Sequence, residues 1–223
     1  MNFTEYNVND KNLEEILLAL KSLDAVEAVA LGGSRSTGEA DENSDYDIYV
    51  YCSEIPTGKT RENLLGKYCS VAEFGNHYWE SEDNTVMNNG TPVDIIYREI
   101  DRFGGYIDTV IKGGKAFNGY TTAFWHNIRN SKVLFDKTGT FTKFRDMAQI
   151  DYPENLRRAI IKNNRSLLSG KLPSYDRQIK KMQERGDIVS VNHRITAFLE
   201  SYFDVIFALN RQTHPGEKRQ VQL

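Results

Sequence analysis

Two carboxylates, Asp45 and Asp47, lie two residues apart in the stretch SDYDIYVYC. In a β-strand, residues i and i+2 project from one face, so these two side chains would form one acidic edge. Carboxylates at this spacing repel each other, and both stay ionised only when a cation lies between them. A hard cation with oxygen ligands, Mg²⁺ first, suits such a pair. The spacing therefore predicts a divalent metal site.

The turn that precedes this pair has the composition of a phosphate-binding loop. Gly32, Gly33 and Ser34 end an apolar run that reads as a strand. Glycine allows the backbone to approach a ligand closely, and free N–H groups at the start of a helix bind phosphate oxygens. A third acidic residue, Asp94, lies in another strand-like run and completes a possible triad. A phosphate turn beside metal-binding carboxylates suits a metal-bound nucleoside triphosphate.

The elements that must position these residues follow from the apolar patterns. Asp10 is a suitable N-cap for an amphipathic helix that reaches Leu23. The other predicted elements of this half are a strand Ala25–Leu31, a short helical turn from Ser34, a strand Asp45–Cys52 and a helix Thr60–Tyr68. In the second strand, Ile48, Val50 and Cys52 share one face, opposite the carboxylates. A hairpin is predicted around Asn89-Gly90, and its second arm carries Asp94.

From Pro153 onward the sequence predicts helices. One begins near Pro153, a second near Tyr175, and a long one spans Val191 to Leu209. A boundary near Tyr152 predicts two domains, 1–150 with a mixed sheet and 151–223 with helices. The fold class is therefore α+β, a mixed twisted β-sheet flanked by helices and followed by an α-helical bundle. The cleft between the two domains is the expected place for a ligand.

The order of these motifs resembles a known superfamily. Gly33-Ser34, then Gly38, then the run Ser44–Ile48, and finally Asp94 in PVDIIYR are similar to the signature of the DNA polymerase β-type nucleotidyltransferases. The common GSxARG form is altered, since Ser36 stands where Ala is frequent and Thr37 where Arg is frequent. The helical half is similar to the C-terminal domains of antibiotic-modifying and uncharacterised bacterial nucleotidyltransferases.

This resemblance implies an enzyme. Asp45, Asp47 and Asp94 would be the catalytic residues and would hold two Mg²⁺ ions, while Gly33 and Ser34 would contact the triphosphate of ATP or another nucleoside triphosphate. The expected reaction moves a nucleoside monophosphate, AMP first, to a hydroxyl group and releases pyrophosphate. Asp94 is either a metal ligand or the base that accepts the proton of the acceptor, and both roles stay open.

Composition limits the partners. The 223 residues carry 28 Lys and Arg against 31 Asp and Glu, a net charge of −3. The protein therefore lacks the overall basic charge that would indicate a nucleic-acid partner. The expected acceptor is a small molecule, such as an aminoglycoside or lincosamide antibiotic, or a protein side chain. The polar N-terminus has no apolar core of a signal peptide, and no run reaches membrane-spanning length. With two cysteines that match no metal spacing, a cytoplasmic location is expected.

Several alternatives stay open at this stage. Taken alone, an Asp pair at a strand end is more often a loop cap than a metal site. The alternative hypothesis for function is a nucleotide-binding regulatory or antitoxin-like protein that keeps the same fold with little turnover. Tyr49 and Tyr51 share the carboxylate face, where they either line an acceptor pocket or cover the sheet. Lys218 in the tail is either a triphosphate contact or part of a frayed terminus. The oligomeric state is not predicted.

Overall fold

The structure, a computed structural model, describes residues 9–38, 40–41, 44–170, 172–218 and 220–221. Six strands form one mixed sheet in the order β3-β4-β5-β2-β1-β6. The strands are β1 (Val26–Leu31), β2 (Tyr46–Cys52), β3 (Cys69–Asn76), β4 (Ser81–Met87), β5 (Pro92–Glu99) and β6 (Lys132–Asp136). Only the β2–β5 pair is parallel among the described pairings. The predicted mixed sheet with flanking helices, followed by helices, is confirmed.

Nine α-helices occur among the described residues. They are α1 (Lys11–Lys21), α2 (Gly33–Thr37), α3 (Gly58–Leu65), α4 (Ile100–Ile111), α5 (Ala123–Asn130), α6 (Thr140–Met147), α7 (Glu154–Leu168), α8 (Tyr175–Glu184) and α9 (Ile188–Leu209). Helix α3 ends at Leu65 and is followed by a 3-10 turn, Gly66–Tyr68. The helix predicted over Thr60–Tyr68 is therefore α-helical only to Leu65. None of the helices in the described ranges is both long and apolar enough to cross a membrane.

The chain divides into two compact units, each discontinuous in sequence. Unit 1 contains Met1–Gly105 and Asn127–Gln149, and unit 2 contains Tyr106–His126 and Ile150–Leu223. The chain leaves unit 1 within α4 and re-enters it within α5. The sequence-based division into 1–150 and 151–223 stays a prediction.

The core of unit 1 lies on one face of the sheet. The Asp10 side chain caps α1 by accepting hydrogen bonds from the N–H groups of Asn12 and Leu13, as predicted. The apolar stripe of α1 and the inward face of β2 are buried together; the cluster includes Leu13, Ile16, Leu17, Leu20, Ile48, Val50 and Cys52. Because side chains alternate along a strand, this packing leaves Asp47 on the opposite face of the sheet.

The core of unit 2 contains a buried carboxylate. Asp204 of α9 is 1% exposed and accepts hydrogen bonds from the Thr121 N–H at 3.1 Å, the Thr121 Oγ1 at 2.7 Å and the Asn164 Nδ2 at 3.0 Å. Asn164 of α7 also accepts from the Gly119 N–H at 3.1 Å and donates to the Phe117 carbonyl at 2.9 Å. This network therefore holds the loop after α4 against α7 and α9.

Burial raises the pKa of Asp204 to about 6, against the opposing effect of its hydrogen-bond donors. An unfolded Asp has a pKa of about 3.9, so between about pH 4 and 6 the folded protein binds more protons than the unfolded chain. The free energy of unfolding should therefore fall as pH rises through this window, by up to roughly 3 kcal/mol, and level off above it. Asp204→Asn cannot take up this proton and should lack the effect.

Urea unfolding of the parent and of Asp204→Asn at several pH values between 4 and 7 measures the difference. Because the other titrating groups are shared, their contributions cancel when the two curves are subtracted. The free energy of the parent relative to the variant should decline with rising pH. Two parallel curves would show that Asp204 titrates as an ordinary exposed carboxyl.

Candidate active site

Three carboxylates meet at one place on the outer face of the sheet in unit 1. One oxygen each from Asp45, Asp47 and Asp94 lies within 4.8 Å of the others, and all three side chains are half-buried. Parallel pairing of β2 with β5 sets Asp47 directly opposite Asp94, while Asp45 lies just before β2. The three residues that sequence reasoning selected are therefore brought together, although they come from segments almost fifty residues apart.

The donor set fits a hard cation. All three groups are carboxylates, and oxygen ligands are those that Mg²⁺ and Ca²⁺ take in proteins. At 4.8 Å, two ionised carboxylates repel by roughly 3 kcal/mol if the effective dielectric constant is about 20. A divalent cation among them would replace this repulsion with attraction, so the cluster could hold a metal.

The Gly32-Gly33 turn packs directly against the cluster. The Gly32 N–H donates to the Asp47 carbonyl at 2.8 Å, which closes the end of the β1–β2 pair. Gly33 has a φ of +59°, and a Cβ placed on it would lie 1.7 Å from Asp47 Oδ2. Any side chain here would therefore clash with the Asp47 carboxylate. Glycine is required at this position by the protein's own carboxylate, before any ligand is considered.

Short helix α2 follows this turn and offers polar groups beside the cluster. Ser34 is half-buried, and its hydroxyl makes no hydrogen bond to any other residue in the described part of the chain. Ser36 stands at a position where Ala is frequent in the superfamily that the sequence resembles. It is buried, and its hydroxyl donates to the Gly33 carbonyl at 2.7 Å. The altered residue therefore reinforces the turn, while Ser34 keeps its hydroxyl available to a ligand.

Arg35 holds the loop that carries Asp45, and sequence reasoning missed it. Its guanidinium donates to the carbonyls of Ser44 and Asp45, with Nε to the Asp45 oxygen at 3.0 Å. The same group lies over the Tyr46 ring, 4.0 Å from its centroid. These contacts tie α2 to the start of β2, so Arg35 fixes the backbone from which Asp45 projects. An arginine in a glycine-serine turn is only a weak sequence signal for this role.

Asn84 is a second residue that sequence reasoning missed. Its Nδ2 donates to Asp94 Oδ1 at 3.0 Å, and its Oδ1 accepts from Asn76 Nδ2 at 2.8 Å. Antiparallel pairing of β4 with β5 places Asn84 directly opposite Asp94. The amide therefore supports one oxygen of Asp94 and leaves the other free to turn toward the cluster. Only the register of the hairpin reveals this contact.

Two tyrosines on the carboxylate face are part of the packing. Tyr51 is fully buried and its hydroxyl accepts from Arg98 Nη1 at 3.3 Å. The Arg98 guanidinium lies 4.4 Å from the Tyr49 ring centroid and pairs with Glu80, with both contacts at 2.7 Å. A Cβ on Gly32 would lie 2.4 Å from the Tyr49 ring. Tyr51 therefore covers the sheet, and Tyr49 supports the turn from behind.

A further carboxylate, Glu82, lies beside the cluster. Its strand position pairs it with Ile96, next to the Asn84–Asp94 pair. Desolvation raises the pKa of Glu82, and the charges of Asp94 and Glu80 add to the shift. The field on this face of the sheet is therefore negative beyond the three clustered carboxylates.

The sequence matches two protein families. Residues 13–117 match the family described as a nucleotidyltransferase domain, and residues 122–219 match a domain of unknown function, DUF4037. The first match contains the whole carboxylate cluster and the Gly32–Ser34 turn. No curated protein matches the sequence.

Two solved structures are similar to the chain. One is a nucleotidyltransferase-like protein from Exiguobacterium sibiricum 255-15, with 8% identity and a TM-score of 0.46 over 95% of this chain and 60% of its own. The other is an aminoglycoside 6-adenyltransferase from Bacillus subtilis, with 12% identity and a TM-score of 0.36 over 96% of this chain and 74% of its own. This chain thus spans 60% of the length of the first. At such low identity, neither identifies a substrate here.

The first prediction for this site concerns the contact between Gly33 and Asp47. Gly33→Ala should displace the Asp47 carboxylate and weaken Mn²⁺ binding by about tenfold or more, equivalent to 1.4 kcal/mol. Gly38→Ala is a matched control, because Gly38 also has a positive φ, +84°, but its added Cβ would meet no atom within 4 Å. Both variants have the same unfavourable backbone conformation, and only Gly33→Ala adds the clash.

Electron paramagnetic resonance of free Mn²⁺ measures the two affinities. We expect Gly38→Ala to bind like the parent. If both glycine variants lose affinity equally, backbone strain rather than the position of Asp47 is responsible.

The second prediction concerns Asn84. Asn84→Leu keeps the approximate shape but removes the hydrogen bond to Asp94, which costs about 0.5–1.5 kcal/mol, or roughly two- to tenfold in Mn²⁺ affinity. Asn88→Leu is the control, because Asn88 lies in the turn of the same hairpin and donates to the Lys67 carbonyl instead. Equal Mn²⁺ affinities for the two variants would exclude a supporting role of Asn84.

Proposed function

We propose that the protein transfers a nucleoside monophosphate, AMP from ATP, to a hydroxyl group of an acceptor, because residues 13–117 match the family described as a nucleotidyltransferase domain. The observation that carries this proposal is the meeting of Asp45, Asp47 and Asp94 within 4.8 Å, directly beside the Gly33-Ser34 turn. Pyrophosphate is the second product. Two Mg²⁺ ions and a nucleoside triphosphate are the proposed cofactor and donor.

The chemistry of the proposed site divides among these residues. Bound Mg²⁺ supplies a Lewis acid that neutralises the triphosphate and lowers the pKa of the acceptor hydroxyl. Asp45 and Asp47 would supply oxygen ligands from two successive outward positions. Asp94, one oxygen of which accepts from Asn84 Nδ2, would complete the ligand set or take the acceptor proton. The Ser34 hydroxyl and the backbone of the turn would donate to phosphate oxygens.

The charge of unit 1 favours a neutral or cationic acceptor. Counted over the whole sequence, this unit has 13 Lys and Arg against 22 Asp and Glu, a formal charge of −9. Glu82 of β4 adds a further carboxylate beside the cluster, whereas Glu80 is paired with Arg98. A polyanionic acceptor such as nucleic acid would be repelled, whereas a small molecule with hydroxyl and amino groups, or a protein side chain, would not. A cytoplasmic location stays a prediction.

A transfer assay tests the proposal. The protein is incubated with Mg²⁺, each α-labelled nucleoside triphosphate, and a panel of acceptors that contains aminoglycosides, lincosamides and proteins. Label should move to an acceptor only when a divalent cation is present. Nucleotide binding without transfer to any acceptor would favour the regulatory, antitoxin-like alternative, and equal ATP affinity in EDTA would contradict the metal-dependent site.

A variant of the cluster separates a metal ligand from a structural carboxylate. Asp47→Asn removes one of three like charges, so the metal-free variant should be as stable as the parent or more stable, by up to about 1 kcal/mol. Its melting temperature should therefore stay unchanged or rise, while transfer activity is lost. Asp146→Asn is the control, because Asp146 lies on the exposed side of α6, with 64% of its side chain accessible. A lower melting temperature of Asp47→Asn with transfer preserved would show that Asp47 is structural.

A further inference from the structure

A basic groove lies on the surface of unit 2, along helix α7. Its volume is about 630 Å³, and four of its eight lining residues are cations, namely Arg157, Arg158, Lys162 and Arg165. An isoleucine, two serines and a glycine form the rest of the lining. The volume falls within the range of roughly 300–1,000 Å³ that is usual for small-molecule sites. Among the described residues, no acidic side chain lines the groove.

The cations form a continuous stripe because of their spacing. Arg158, Lys162 and Arg165 follow the i, i+4, i+7 pattern, which sets them on one side of the helix over about 10 Å. A single phosphate is too small to contact both ends of this stripe. A ligand that uses the whole groove must therefore carry more than one anionic group.

One end of the stripe is held in place by an ion pair. Glu154 accepts from Arg157 Nε at 2.8 Å and Nη2 at 2.9 Å, and from Arg158 Nε at 2.9 Å. Hydrogen bonds from these two arginines lower the pKa of Glu154 to about 2. Arg211 Nη2 also lies 3.4 Å from this carboxylate. Three arginines against one carboxylate leave a net positive charge, and their guanidinium groups keep further N–H donors.

The other two cations of the stripe are not paired with a carboxylate in the part of the chain that the structure describes. Lys162 and Arg165 form no ion pair within the described ranges of the chain. At the far end, the Asp176 carboxylate accepts from Ser169 Oγ at 2.6 Å and from the Ser174 hydroxyl, and it forms no ion pair with Lys162 or Arg165. An anion in the groove would thus meet two uncompensated cations.

The charge of the whole unit strengthens the local effect. Counted over the sequence, unit 2 carries 15 Lys and Arg against 9 Asp and Glu, a formal charge of +6, whereas unit 1 carries −9. The nearly neutral total of −3 hides this separation. A field of this sign raises the local concentration of anions near the groove.

We propose that this groove binds a small molecule with at least two phosphate groups. Arginine presents a planar fork that matches phosphate oxygens, and lysine adds a mobile positive charge. Single-stranded nucleic acid is a poorer fit, because such sites stack bases on aromatic rings and none of the lining residues that the structure describes is aromatic. The proposal concerns unit 2 alone and does not depend on the transfer reaction proposed above.

Calorimetry with inorganic tripolyphosphate tests the groove on the full-length chain. EDTA is present, so that the acidic cluster of unit 1 has no divalent cation and repels the probe. The test variant is Lys162→Gln with Arg165→Gln. The control is Lys180→Gln with Arg185→Gln on and just after α8, which removes the same two residue types from exposed positions outside the groove. Glutamine is a good helix former, so both variants should stay folded.

The test variant should lose about tenfold or more in tripolyphosphate affinity, and the control should stay within about twofold, because charge-assisted contacts to phosphate are short-range. Equal losses of tripolyphosphate affinity in both variants would mean that binding depends only on the general charge of unit 2, and would overturn the proposal. The absence of binding at millimolar tripolyphosphate would overturn it as well.

A single-stranded RNA oligomer is tested for binding in parallel. If it binds through Lys162 and Arg165 while tripolyphosphate does not, the small-molecule proposal is wrong. If the double variant unfolds, Lys162→Gln and Arg165→Gln are compared singly with the same control substitutions.

Discussion

Mutual repulsion among three carboxylates is the constraint on which the outer face of the sheet depends. Asp45, Asp47 and Asp94 would separate if their side chains could turn away, yet they are held within 4.8 Å. Backbone pairing of β2 with β5 prevents Asp47 and Asp94 from moving apart. Two further hydrogen bonds hold the other parts of the cluster. Arg35 donates to the backbone carbonyl of Asp45, and Asn84 donates to the Asp94 carboxylate.

The same constraint explains why the neighbours of the cluster are closely packed. Asp47 occupies the space where a Cβ of Gly33 would lie, so the turn and the carboxylate determine each other's position. Tyr49 fills the space behind Gly32 and is itself covered by the Arg98 guanidinium. Burial raises the pKa of Tyr49 well above its usual range, so this ring stays neutral and adds no further negative charge to the face.

Unit 2 uses charge differently. Its core holds one buried carboxylate, Asp204, whose three hydrogen-bond donors replace the water that an exposed aspartate would have. Its surface carries the basic groove of α7, where positive side chains exceed nearby carboxylates. The two units therefore present opposite fields, acidic on the sheet of unit 1 and basic on α7 of unit 2. Each field suits a different ligand chemistry.

The sequence alone determined the local parts of this structure. The Asp10 cap, the apolar stripe of α1 and the alternation in β2 were predictable because they depend on residues close together in the chain. The spacing of Asp45 and Asp47 and the glycine turn identified the candidate site for the same reason. The predicted elements did not include β3, β6 or helices α4 to α6. For α4 a local signal exists, since Ile100, Phe103, Ile107 and Val110 follow a helical period and are buried on one side of the helix. Only the tertiary structure decided that Asp94 lies opposite Asp47, that Asn84 supports it, and that Gly33 contacts a carboxylate. These contacts depend on strand register, which is set by pairing between distant segments and is not encoded in any local spacing.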